Sequence, residues 1–552
     1  PAYDRWFAAS IGRREVSAAV EISDLAKRRR FYQSQPLAGR LVALRELLAS
    51  PLDSLGKAER LQRQALLARH PRYREFSTKS DTFQGKLAAL DPLVTDGRLS
   101  QDADRLLKSW ATLSQSQEAL LWQMAFSRAF VNLAFPPARP LAETQKSLAS
   151  GDALLVFHRS GGALHGFLIV NSDQHYWRLP GNLRAVTGEV SKALRELGNY
   201  GQSRPLPGED AASDGWQTTV AQLGKLVLGE SRLDLATVKR IIIVPDGPLW
   251  HVPFETLLLA ADSSAPTLLE AAPVRMAPTV GLAVGAGHSS RPVKRTGLAL
   301  RRPSGDAIER EVIEEEHRRL TASVDPSVLL ASPTPAASPL LATTIEQLIV
   351  DHDTQIDTEG YYAWSPTPID RNTSRGFLTE WLTLPAAAPQ RLILARMHTL
   401  AETGLKVGRR STGDPRLAGD ELFHAACGLM GAGVQTTLMS RWTTDGVVHG
   451  ELIREFAEQM DDRPAADAWQ RSVALARSAM LDPQLEPRLD WEDDSKDPPA
   501  AKHPFFWSGY LLLDTGVDSN PPASQEPEDS NPAAPAAKPA DAKPADVQQP
   551  AA

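Results

Sequence analysis

The stretch that decides the fold lies at residues 241–258 and reads IIIVPDGPLWHVPFETLL. Its first four residues form an uninterrupted apolar run, which is typical of a strand buried on both faces of a sheet. Pro245-Asp246-Gly247 then predicts a turn, because Pro fixes φ and Gly tolerates a positive φ. We interpret Asp246 as the cap of this turn rather than as an acid catalyst. The stretch therefore predicts a buried strand that leads through a tight turn into a short helix.

Apolar runs and helical segments alternate along the chain from residue 238 onward, and this alternation predicts an α/β layer with a largely parallel sheet. The predicted strands lie at 240–244, 296–300, 328–330, 391–395, 436–440 and 510–513. The predicted helices lie at about 305–320, 338–348, 418–432, 446–460 and 464–480. Upstream, three short runs with polar turns between them predict an antiparallel meander; they lie at 153–158, 164–170 and 175–179, and a predicted helix follows at about 183–198.

The two ends of the chain differ in composition from this α/β region. Residues 1–140 show apolar side chains at helical spacing, with Pro and Ser breaks that predict antiparallel helical hairpins resembling tetratricopeptide repeats (TPR). Residues 518–552 are rich in Pro, Ala, Asp and Lys, and we expect them to be disordered. The sequence therefore predicts a helical region at 1–140, an α/β domain at 141–517 and a tail at 518–552.

Charge and cysteine content exclude several classes of function. A net charge of −7 provides no basic field for a nucleic acid or an anionic membrane, and no apolar run is long enough to cross a bilayer. The single cysteine, Cys427, excludes internal disulfides and cysteine-based zinc sites, and it favours a reducing, cytoplasmic compartment. The chain starts without Met on what reads as the middle of a helical region, so we expect residues upstream of it.

Five segments in order resemble the CHAT domain, a caspase-like family of cysteine peptidases that often follows tetratricopeptide repeats. The resemblance spans about 145–515. The segments are 241–258 and, around it, 148–156, 275–279, 431–445 and 503–512. It implies a caspase-like α/β fold whose catalytic His and Cys lie at the carboxyl ends of neighbouring strands. A thiolate would attack the peptide bond and the imidazole would activate it and protonate the leaving amine.

Neither catalytic residue of the family is present where the resemblance places it. The histidine segment corresponds to residues 355–360, so that Glu359 stands at the histidine position. The cysteine segment corresponds to residues 392–399, so that Met397 stands at the nucleophile position, with His398 beside it. A shift of one residue would place His398 or Arg396 there instead, and no placement provides a thiol. Residues that would line the remaining cleft are Asp357, Gly360, Arg396 and Asp445.

Two other groups of residues suggest a different chemistry. Cys427 lies three residues after His424 on one predicted helical face, which would bring a thiol and an imidazole together; a buried structural cysteine is the favoured interpretation. His352 lies between Asp351 and Asp353 and suggests a metal site, but alternate residues of a strand face opposite ways, and a solvated strand end is favoured. We therefore predict neither a metal nor a cofactor.

The sequence leads to three hypotheses for function. The favoured one is a catalytically inactive pseudo-peptidase that binds a protein or peptide partner or regulates it. The second is an active CHAT cysteine endopeptidase whose dyad is misaligned here. The third is a hydrolase that pairs Glu359 with His398 or His352 across the same cleft.

Overall fold

The computed structural model describes most of residues 2–517, and these are the residues discussed below. The ranges outside the described part are 1, 51, 53–54, 92–93, 96–97, 128–134, 199–204, 261–264, 286–294, 302, 304, 306, 325–327, 332–338, 357–360, 368–375, 400–417, 443–445, 492–497 and 518–552.

Helices dominate the first part of the described chain and flank the sheet in the rest. The first seven are α1 Ala2–Gly12, α2 Val16–Ser34, α3 Arg40–Ala49, α4 Lys57–Arg69, α5 Pro71–Ala88, α6 Gln101–Phe126 and α7 Leu141–Ser147. The later ones are α8 Leu183–Glu196, α9 Gly208–Ala212, α10 Gly215–Leu228, α11 Leu268–Ala271, α12 Val280–Ala283, α13 Ala307–Val324, α14 Pro339–Ala342, α15 Leu378–Trp381, α16 Asp420–Ala432, α17 Val447–Gln459 and α18 Ala465–Ser478.

The strands are mostly short and, after the first two, belong largely to one sheet. They are β1 Val94–Thr95, β2 Arg98–Leu99, β3 Asp152–Ser160, β4 Ala163–Ile169, β5 Gln174–Arg178, β6 Leu206–Pro207, β7 Arg240–Val244, β8 Val274–Met276, β9 Thr296–Leu300, β10 Val328–Ala331, β11 Gln347–Asp351, β12 Thr354–Gln355, β13 Arg391–Leu394, β14 Met397–His398, β15 Thr436–Ser440, β16 Leu489–Asp490 and β17 Tyr510–Asp514.

Eleven of the described strands form one continuous sheet in the order β10-β9-β11-β13-β15-β17-β8-β7-β3-β4-β5. The five strands from β10 to β15 are parallel. β17 is antiparallel to β15 and reverses the direction, and β8, β7 and β3 are parallel to β17. The strand of the deciding stretch, β7, therefore runs opposite to β13, and their carboxyl ends lie at opposite edges of the sheet.

The predicted fold class is confirmed: a mainly parallel sheet flanked by helices follows an α-helical region. The meander at the start of the α/β region is also confirmed, because β3, β4 and β5 pair antiparallel in chain order. Burial explains why β7 was recognisable, since its four apolar residues Ile241–Val244 are almost completely inaccessible.

One predicted helix is wrong over its second half. Residues 338–348 were expected to form a single helix, but α14 ends at Ala342 and β11 begins at Gln347. β11 lies between β9 and β13 and pairs in parallel with both. Its apolar residues Leu348, Ile349 and Val350 are fully buried, so pairing and burial on both faces outweigh the helical spacing of this short segment.

The helical region packs into the α/β region rather than beside it. One hydrophobic core joins Phe31 and Trp110 of the helices to residues of the sheet. Arg45 of α3 donates to four main-chain carbonyls near the carboxyl end of α16 and the loop before β13. Arg295, before β9, donates to Leu87 O and two neighbouring carbonyls at the end of α5. None of the described helices is both long and apolar enough to span a bilayer.

Candidate functional site

The carboxyl ends of β11 and β13 meet at one edge of the sheet, because these strands are parallel neighbours with Val350 opposite Leu394. Each strand continues into a short second strand, and β12 and β14 again pair in parallel. The described parts of the two segments that the resemblance assigns to the catalytic dyad therefore pair at Gln355 and His398. Residues 357–360, which include Glu359, Asp357 and Gly360, lie outside the described residues, as does Asp445.

Met397 is the side chain at the predicted nucleophile position, and it is fully buried. The Met397 N–H donates to Ser440 Oγ at 2.5 Å, and Ser440 Oγ donates to the Met397 carbonyl oxygen at 2.6 Å. β15 thus holds this residue through its main chain. A thioether carries no ionisable proton and forms no thioester, so Met397 has no nucleophilic chemistry to offer. His398 pairs with Gln355 through the main chain, and its side chain lies outside the described part.

The charged residues at this edge bind one another rather than converge on a common point. Arg396 Nε donates to Asp353 Oδ1 at 3.1 Å. His352 Nδ1 lies 3.2 Å from the main-chain oxygen of Asp353. Asp351 instead pairs with His317 Nε2 at 2.8 Å. No three His, Cys, Asp or Glu side chains of the described residues are arranged to hold a metal ion.

The Asp351 carboxyl is half-buried and stays ionised. Burial opposes its ionisation, but the hydrogen bond from His317 and the charges of Arg301 and Arg396 outweigh this effect and lower its pKa. Asp351 is thereby engaged in a local ion-pair network, which leaves it unsuited to act as a general base.

Cys427 lies in the middle of α16 and is fully buried, as predicted. Burial raises the pKa of its thiol well above the usual range, against the opposing charges of Arg30 and Lys27 of α2. His424, which the alternative hypothesis pairs with this thiol, is hydrogen-bonded to a different residue. His424 Nδ1 lies 2.8 Å from Tyr362 Oη. A protonated thiol inside a helix is a poor nucleophile.

Asp246 caps its turn as predicted, since Oδ1 accepts from the Gly247 N–H at 2.9 Å. The same carboxylate also binds α2, because Arg30 donates to Oδ1 at 2.8 Å and to Oδ2 at 3.3 Å. The Arg159 N–H donates to Oδ2 at 3.0 Å, and its guanidinium binds both oxygens of Asp420 at the start of α16. The turn therefore connects α2, β3 and α16.

This ion-pair network could not be predicted from the sequence. Asp246 and Arg30 are separated by 216 residues, and no local pattern pairs residues at that separation. The available signal was the concentration of basic residues in α2, Lys27-Arg-Arg-Arg30, on a helix that also carries apolar residues. Such a run is more often a solvated face than a buried one.

The comparison with protein families matches residues 408–514 to the CHAT domain. The resemblance predicted from five segments is therefore confirmed over this part of the chain. No curated protein matches the chain.

Among solved structures, the chain is similar to separase in two crystal structures of the Saccharomyces cerevisiae separase–securin complex. The TM-scores are 0.39 and 0.36, each at 9% identity. Each match covers 90% of this chain, which spans about 40% of the length of the matched chains.

Proposed function

We propose that this CHAT-domain protein is a pseudo-peptidase that binds a protein or peptide partner without cleaving it. The observation that carries the proposal is the buried Met397, held by Ser440 at the place where the resemblance puts the nucleophile. The only thiol of the chain lies in a different element, inside α16.

The chemistry of the family supports this proposal. Peptide-bond cleavage by a cysteine requires a thiolate that reaches the substrate and a base within hydrogen-bonding distance. Cys427 is buried and its pKa is raised, and His424 is hydrogen-bonded to Tyr362. Neither requirement is met by the described residues.

We infer that the scaffold of the family's cleft is kept without the family's chemistry. β12 and β14 pair at the described start of the histidine segment and within the cysteine segment, and Arg396 donates to Asp353 beside them. We propose that Arg396, together with Asp357, Gly360 and Asp445, lines a surface for a partner, and that the helical region contributes TPR-like binding surface. The lack of any cysteine pair is consistent with a cytoplasmic location.

A cleavage assay tests this proposal. The full chain is incubated with a mixture of random-sequence peptides, and new termini are sought by mass spectrometry. We expect no cleavage above that of a heat-denatured sample. Cleavage that disappears in Cys427→Ala would establish the active cysteine peptidase instead. Cleavage that persists in Cys427→Ala but disappears in Glu359→Gln would establish the Glu/His hydrolase.

A further inference from the structure

Two helices on one side of the sheet, α13 and α17, pack side by side and leave a groove of about 560 Å³ between them. Apolar side chains form its floor, including Val312, Leu320 and Leu485. The groove has the size of a typical ligand or peptide site, and helix-flanked apolar grooves are a common way to receive a short segment of another protein.

The rim of this groove is acidic. Five glutamates and three arginines line it, which leaves an excess of two negative charges. The arginines are already paired; for example, Arg319 donates to Glu315 and to Glu451. Glu311 and Glu314 are exposed and have no ion-pair partner among the described residues. The groove therefore offers apolar contact with two unneutralised carboxylates beside it.

A small cavity of about 50 Å³ continues the groove toward the carboxyl ends of β11 and β13. Glu316, Leu320 and Gly450 line both spaces. His449 lines the inner cavity, is only 4% exposed, and neither of its ring nitrogens has a hydrogen-bond partner among the described residues. Since a water takes about 30 Å³, the cavity has room for the polar end of one side chain.

His449 is neutral in this position. Burial lowers the pKa of its imidazole to about 3, and the charges of Arg488 and Arg396 act in the same direction. A neutral imidazole carries one donor and one acceptor. Leaving both unpaired in a buried site costs free energy that an occupant would recover.

We propose that the groove between α13 and α17 is the docking site for a segment of a partner protein that carries apolar side chains with lysine or arginine beside them. The apolar side chains lie on the floor, the basic side chains meet Glu311 and Glu314, and a polar group of the segment binds His449. This inference rests on the proposed function and extends it by locating the partner on a surface next to the old cleft.

The test uses the full chain as bait for a displayed library of random 12-residue peptides. The selected peptides are synthesised with a fluorophore, and their Kd is measured by fluorescence anisotropy against three proteins. These are the wild type, the double variant Glu311→Lys/Glu314→Lys, and the matched control Glu189→Lys/Glu196→Lys. The control reverses the charge of two exposed glutamates of α8, which does not line the groove.

We expect the selected peptides to be basic and apolar. They should bind the groove variant about tenfold more weakly than the wild type, and their Kd for the control should equal that for the wild type. A second variant, His449→Phe, should weaken the same peptides while its thermal unfolding matches that of the wild type. Acidic selected peptides, an empty selection, or equal binding to the groove variant would overturn the proposal. Peptides that bind equally well to the groove variant would leave the pseudo-peptidase function intact.

Other occupants of the groove give distinct results. Binding that appears only after residues 518–552 are deleted would assign the groove to the chain's own tail. Dimerisation of the wild type that is lost in the Glu311→Lys/Glu314→Lys variant would assign it to a second copy. Either result would contradict docking of a partner protein.

Discussion

At the scale of the residue, the Asp246 carboxylate has more partners than its turn requires. It caps Gly247 and also holds Arg30 of α2 and the main chain of Arg159. Burial opposes ionisation of the Asp246 carboxyl, but Arg30, His158, Arg159 and Lys27 together hold its pKa well below the usual range. This side chain therefore stabilises the contact between the helical region and the sheet.

Asp246→Asn should lower the free energy of unfolding at pH 7 by about 3 kcal/mol, because it removes the carboxylate from two buried or half-buried arginines. Chemical denaturation measures the change. The exposed control Asp462→Asn should stay within about 0.5 kcal/mol of the wild type. A loss for Asp246→Asn no larger than that of the control would contradict the role given to this carboxylate.

The effect of Asp246→Asn on stability should depend on pH. Because the folded-state pKa of Asp246 is depressed, its stabilisation is present above the ordinary pKa of a carboxyl and is lost as the pH falls through the folded-state value. The difference in unfolding free energy between the wild type and Asp246→Asn should be constant above about pH 5 and shrink below about pH 4. A difference that grows on acidification would contradict the assignment.

Some features of single residues at the site could be predicted from the sequence, and others could not. The absence of a thiol at the position of Met397 could be predicted, because the sequence has one cysteine and no alignment shift brings it to β14. The burial of Cys427 could also be predicted from its place in an apolar helix. The surroundings of the buried His449 could not be predicted, since they come from α13, β11 and the residues after β13, which are distant in sequence.

At the scale of the element, α16 is buried along its whole length, including both acidic residues of its first turn. Its amino end is held through Asp420 by Arg159. Its carboxyl end is held by Arg45, which donates to Gly431 O and Ala432 O at 2.7 and 2.9 Å. A cation at the carboxyl end of a helix also interacts favourably with the helix dipole. The element that carries Cys427 is thus fixed at both ends.

Arg45→Met should cost about 3 kcal/mol of unfolding free energy, because buried carbonyls lose their donor while the apolar stem is kept. The measurement is again the denaturation midpoint. The matched control is Arg69→Met at an exposed position near the end of α4. Equal stability of the Arg45→Met and Arg69→Met variants would show that this contact does not stabilise α16.

Most strands of the eleven-stranded sheet were predictable from their apolar runs. One example is Thr436–Ser440, whose bounds the sequence predicted. β11 was missed as a strand in the helix predicted at 338–348. Its five residues are too few for their own periodicity to distinguish helix from strand. Pairing with β9 and β13 decides the outcome, and pairing partners are not visible in a local pattern.

At the scale of the whole molecule, the helical region and the sheet share one hydrophobic core. Buried arginines of each region donate hydrogen bonds to the other. Arg45 of the helical region binds a carbonyl at the end of α16, and Arg295 of the α/β region binds a carbonyl at the end of α5. The division at residue 140 followed a change in composition, which is visible in sequence. The packing of α2 onto Asp246 depends on tertiary contacts and is not visible there.

The shared core predicts cooperative unfolding. Urea denaturation followed by far-UV circular dichroism and by tryptophan fluorescence should give coincident single transitions. A chain that starts at Leu141 should lose the transition or shift it to much lower urea, since it lacks Arg30 and Arg45. Two separate transitions, or an unchanged midpoint for the shortened chain, would contradict a common core.

The most direct test of the central claim is the rate at which iodoacetamide alkylates Cys427 in the native protein of residues 1–552. A buried thiol with a raised pKa reacts only when the helix opens, so we predict labelling at pH 7 to be roughly 100-fold or more slower than in the urea-unfolded chain. Peptide cleavage should be undetectable both before and after labelling. Rapid native labelling that abolishes a measurable peptide cleavage would contradict the account, because it would identify Cys427 as a working nucleophile.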